Sequence, residues 1–73
     1  MNRKMAKRLL QRGMGDSGRW RIFARRIKGV CTLVVSKAPR WPWERVRLIV
    51  VGEASRWEDA LKQARSGHTR AIN

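Results

Sequence analysis

Val30–Lys37 reads VCTLVVSK. These eight residues are apolar, rich in β-branched side chains and charged only at the last position, which is the composition of a strand. So few charges fit a strand with neighbours on both sides. Immediately before it, Lys28-Gly29 offers a tight turn, since glycine accepts positive φ at no steric cost. The segment leading into that turn, Arg19–Lys28 (RWRIFARRIK), reads as a first strand. After the central run, Ala38–Glu44 (APRWPWE) must be a loop, because Pro39 and Pro42 cannot donate to a ladder. Arg45–Val51 (RVRLIVV) is a third strand. Short connections make the three an antiparallel meander with the second strand in the middle.

Helical patterns flank this meander. In Asn2–Arg12, Met5 and Leu9 sit four apart, and Ala6 and Leu10 repeat the spacing, so an apolar stripe runs between basic residues. Three turns of helix are marginal alone in water, so the stripe needs a partner. Gly13, Gly15 and Gly18 then make a joint. At the other end, Ser55-Arg56-Trp57-Glu58 fits a capping box, with Ser55 as N-cap and Glu58 reaching back. Trp57, Ala60, Leu61 and Ala64 follow on one helical face, and Gly67 lies where a helix terminates.

The expected fold is therefore α+β: a short N-terminal helix, a three-stranded antiparallel meander sheet, and a C-terminal helix packed on one face. Residues 1–18 form a basic helix with a Gly-rich hinge, 19–67 a β-β-β-α core, and 68–73 a flexible tail. Trp57 and Leu61 are expected to pack on Ile22, Leu33, Leu48 and Val50, with Trp20 also in the core.

Seventy-three residues allow one domain. Eighteen Lys and Arg against five Asp and Glu give +13, a self-repulsion that an anionic partner relieves. Ten of the basic residues precede Gly29, against Asp16 alone, so this part carries +9 of the total. The single cysteine, Cys31, permits no disulfide within the chain and suits a reducing cytosol. It reads as a small buried hydrophobe. No apolar run is long enough to span a bilayer, so no membrane partner is expected.

The pattern speaks against an enzyme. One histidine, one cysteine and scattered carboxylates supply neither a metal-ligand set nor a nucleophile with its base. The glycines at 13, 15 and 18 lack the Lys-Ser/Thr that closes a phosphate loop. No cofactor is expected.

Three stretches are candidates for binding. Arg21, Phe23 and Arg25 alternate onto one face of the first strand. Arg45 and Arg47 share a face on the third. If the two faces coincide away from the second helix, they make a basic surface with an aromatic in it, suited to phosphates and bases. A solvated charged face is the plain alternative. Trp41-Pro42-Trp43 is the second candidate, either a stiff apolar projection or a lid folded back over an open end of the core, the commoner fate of a tryptophan pair. The third is the N-terminal helix, where Arg3, Lys4, Lys7, Arg8 and Arg12 surround Met5 and Leu9. It either docks on the sheet or folds as an arm against a partner with an acidic rim.

Two resemblances follow from these residues. Helix, three strands and helix in this length is the order of double-stranded RNA-binding domains, which grip phosphates at the start of their second helix. Here that stretch, Ser55-Arg56-Trp57-Glu58-Asp59-Ala60, holds one basic residue and two acids, a departure at the positions that carry the function. Over its whole length the chain, from MNRKMAKRLL (1–10) through RWRIFARRIKGV (19–30) to WEDALKQAR (57–65), resembles the small RNA polymerase-binding transcription regulators of lytic Xanthomonas phages. That resemblance implies a protein of the host bacterial cytoplasm, monomeric, that binds a large polymerase subunit near the RNA exit channel. It implies inhibition of initiation by displacing the promoter-specificity (sigma) factor, together with antitermination. Nascent RNA or DNA is a second implied contact. The alternative is a direct DNA- or RNA-binding module of the sheet-plus-helix type.

Overall fold

The computed structural model describes residues 1–14, 20–67 and 69–71. Its elements run α1 (Arg3–Met14), β1 (Trp20–Ile27), β2 (Val30–Lys37), β3 (Arg47–Ala54), α2 (Trp57–Arg65) and β4 (Arg70–Ala71). The expected α+β fold is the observed one: β1, β2 and β3 form an antiparallel meander, and α2 packs on it. The stretch read as a tail supplies β4, a two-residue strand that pairs with β3 and extends the sheet to four. Of the Gly-rich joint read at 13–18, Gly13 and Met14 continue α1 instead of breaking it, and residues 15–18 lie outside the described residues.

β2 forms over the span its composition dictates. Its inward side chains Cys31, Leu33 and Val35 are almost fully buried. The turn to β1 has φ +50° at Lys28 and +80° at Gly29, the two positive values of a type I′ hairpin. The loop is longer than read, because β3 starts at Arg47.

Cross-strand partners share a face, so the register assigns the two sides of the sheet. Ile22, Ala24, Leu33, Val35, Gly52 and Ala54 face the helices. Arg21, Phe23, Arg25, Thr32, Val34, Ser36, Leu48, Val50 and Glu53 face the other, open side, although Thr32 and Val50 are buried on it. A bulge in β3 breaks its alternation: Leu33 pairs with Gly52 while Val34 pairs with Val50, leaving Val51 over. This corrects two expectations. Leu48 and Val50 are turned away from α2, and Val51 packs against the core instead. Arg47, opposite Lys37 and hence in line with Trp20, belongs to the helix-bearing side and not to the face of Arg21, Phe23 and Arg25.

One core joins both helices to the sheet. Ala6 and Leu10 of α1 and Trp57, Ala60 and Leu61 of α2 meet Ile22, Ala24, Cys31, Leu33 and Val35. Leu9, offered as a partner contact, packs against this core, as does the half-buried Trp20. Lys37 Nζ sits 5.1 Å from the Trp20 ring centroid, a cation–π contact.

The ends of the helices are set differently from the sequence reading. Asn2 Oδ1 accepts the Met5 N–H at 2.9 Å and caps α1. For α2 the N-cap is Arg56, whose side chain makes no capping bond, so the capping box of Ser55 and Glu58 does not form. Glu58 is taken by the Met1 amino group, 2.9 Å from its Oε1. The Ser55 carbonyl faces the Cys31 thiol, Sγ to O 3.6 Å. Gly67 follows α2 with φ +83°, the left-handed value expected past a helix end.

Candidate interface of the basic cleft

The stripe that docks α1 also fixes where its charges go. With Ala6 and Leu10 held inward, a 3.6-residue period turns Arg3, Lys4 and Lys7 toward the edge of β1 and leaves Arg8, Arg12 and Met5 on the outer flank. β1 is an edge strand, so residues of both its faces reach that border. Between them lies an open cleft of about 860 Å³, lined by Arg3, Lys4, Lys7, Phe23, Ala24, Arg25, Arg26 and Trp57. Phe23 is 37% exposed there.

Five cations share this cleft without a counter-charge. Among the described residues two ion pairs form, Met1 with Glu58 and Arg70 with Glu53, and neither uses a cleft side chain. Glu58, next to Trp57, is spent on the Met1 ammonium. The hydrogen bond from that group, and then its charge, holds the Glu58 carboxyl below its ordinary value. Arg26 also points a nitrogen at the Cys31 sulfur, 3.7 Å away. Uncompensated positive charge in a concave site raises the local concentration of anions.

The cleft thus brings together Arg3, Lys4, Lys7, Phe23 and Arg25 of the residues singled out in the sequence. Arg21 lies on the open face of the sheet. Arg8, Arg12 and the half-exposed Met5 are on the far flank of α1. Arg26 and Trp57 were missed as lining residues. Arg26 alternates onto the helix-facing side of β1, where a charge is not expected, and only the end of the covered area at the Cys31–Ala54 row leaves it room.

Arg45 and Arg47 belong to a second basic group, at the other end of the sheet. With Lys37, Ala38, Pro39, Arg40 and Glu44 they line a smaller hollow beside the 38–46 loop. Trp41 and Trp43 project from that loop and do not fold over the core. They are 53% and 76% exposed and stack on each other, with centroids 5.4 Å apart and planes within 3°.

Among the described residues no group of three His, Cys, Asp or Glu comes together to hold a metal ion, and no helix is long and apolar enough to cross a membrane. Compared with protein-family models, with curated proteins and with solved structures, the chain matches none.

Proposed function

We propose that this chain is a phage-encoded regulator that binds host bacterial RNA polymerase near its RNA exit channel, inhibits initiation by displacing the sigma factor, and promotes antitermination. The whole-chain resemblance supports the identity of the partner. The observation that carries the binding mode is the cleft itself, with five cations, an exposed phenylalanine and no internal carboxylate to neutralise it. An acidic ridge on a protein surface, with an apolar residue at its crest, is the complementary shape. Occupying such a surface regulates by exclusion and needs no chemistry.

The test is affinity capture of tagged protein from a bacterial lysate treated with nuclease. Polymerase subunits should co-purify with the parent chain. The double variant Lys7→Glu, Arg25→Glu should retain at least tenfold less polymerase, because it reverses charges on both walls of the cleft. Capture without polymerase subunits, or equal capture by the variant, sinks the proposal.

A second reading is favoured by the same arginines: direct binding of nucleic acid in the cleft. It predicts that log K for duplex falls against log salt with a slope of about −0.9 per phosphate contacted. A duplex affinity too weak to measure at low salt would leave the protein partner alone.

A further inference from the structure

We infer that the Trp41–Trp43 stack is a binding site for an unpaired nucleobase, with the sugar-phosphate chain of a single strand held by the basic residues around it. This inference is independent of the polymerase reading and of the cleft.

The stack is built to stay open. Pro42 stiffens the loop between the two rings. The Glu44 N–H donates to the Trp41 carbonyl at 3.0 Å, and the Arg40 N–H donates to Glu44 Oε2 at 3.1 Å. These bonds close the turn from both sides and hold the backbone that carries the rings. Near-parallel planes with centroids 5.4 Å apart describe an offset stack. Each indole covers one face of the other, so Trp43, 76% exposed, offers its second face to solvent. Such a pair loses hydrophobic stabilisation as long as it stays uncovered.

The surroundings select the occupant. Lys37, Arg40, Arg45 and Arg47 line the hollow beside the loop, against the single carboxylate of Glu44. Four cations repel a cationic side chain that would otherwise sit on an indole face. They attract a polyanion that carries flat rings. Single-stranded nucleic acid combines both properties, since every base has a π face and every link a phosphate. A duplex hides its base faces and cannot use the platform. Arginine dominates the set, and its planar fork suits phosphate oxygens.

The test uses the intact chain and a short single-stranded oligonucleotide, followed by quenching of tryptophan fluorescence at low salt. The controls are an abasic strand of equal length and a duplex. The single strand should quench and bind at least tenfold tighter than the abasic strand. Trp43→Ala should abolish that preference, Trp43→Phe should keep most of it, and both variants should retain the parent circular dichroism spectrum because position 43 is outside the core. Lys62→Glu, on the exposed side of α2 and in neither basic group, should leave the ratio of base-bearing to abasic affinity unchanged. The inference is overturned if the abasic strand binds as well as the base-bearing one, if duplex competes equally, or if Trp43→Ala binds like the parent.

Discussion

At position 52 a Cβ would run into the backbone carbonyl of Ala60, so only glycine lets α2 lie this close to β3. The neighbour is backbone and cannot rotate away. Gly52→Ala should therefore cost at least the ~1–3 kcal/mol of ordinary overpacking, seen as a lower midpoint in urea. An unchanged midpoint would mean that α2 stands further from the sheet. Position 56 invites the opposite change. The N-cap of α2 is an arginine without a capping bond, a cation at the positive end of a helix dipole. Arg56→Asp should add about 1 kcal/mol by supplying the missing acceptor. Position 28 carries φ +50° on a lysine, and Asn accepts that region more readily. Lys28→Asn should raise the melting temperature by a few degrees. Positions 52 and 56 are not visible in sequence by pattern alone, and at 28 the tight turn is legible but the positive φ of the lysine is not. Glycine in a strand, serine three residues before glutamate, and lysine before glycine each have a plainer interpretation until the neighbouring backbone is known.

The elements differ in how legible they were. β2 and the Lys28-Gly29 turn follow from local chemistry, because β-branching and positive φ are decided within a few residues. The faces of β3 do not follow, because alternation is counted from one end and the bulge at Val51 shifts the count. The shift turns Leu48 and Val50 to the face away from α2, where Val50 is nonetheless buried, and takes Arg47 off the surface it was expected to share with Phe23. A local pattern cannot say which strand a residue will oppose. Five of the eight residues lining the candidate cleft were therefore legible, namely the three α1 cations and the Phe23-Arg25 pair, whereas their joining with Arg26 and Trp57 needed the tertiary arrangement.

Element packing gives two further expectations. Leu61, on the inner face of α2, is 2% exposed, so Leu61→Ala should cost about 2–5 kcal/mol in denaturant unfolding. The Met1–Glu58 contact ties the start of α1 to α2, and Glu58 has a depressed folded-state pKa. A depressed carboxyl stabilises the fold above its unfolded value and loses that contribution as pH falls through the folded one. The amide resonances of α1 should therefore shift as the solution is acidified below about pH 4.5, the ordinary value of the group. Glu58→Gln should remove the part of the shift that belongs to this pair. Glu58 is exposed, so the effect will be small and will fade with added salt.

For the whole molecule, charge is the dominant fact. A net +13 on 73 residues opposes compaction, and screening reduces that opposition. The melting temperature should rise as sodium chloride is raised from about 20 mM to a few hundred millimolar, where the Debye length falls below about 10 Å. On the proposed reading of the cleft as an anion-binding site, a polyanion at equal ionic strength should raise it further than simple salt does. A melting temperature flat in salt would show that the charges are too far apart to matter.

The cleft and the tryptophan loop lie toward opposite ends of β1 and β2, with about five residues of strand, or roughly 17 Å, between the cleft and the start of the loop. Five residues of hydrogen-bonded sheet form a rigid spacer, so a ligand or assembly held at one end is presented to the other at a fixed distance, without the entropy loss of ordering a linker. The local concentration at the second contact is then set by geometry and reaches the millimolar range when the span matches. Two contacts that are each weak in isolation become a single strong one for a target whose own features are spaced alike, and a target with the wrong spacing gains nothing from carrying both.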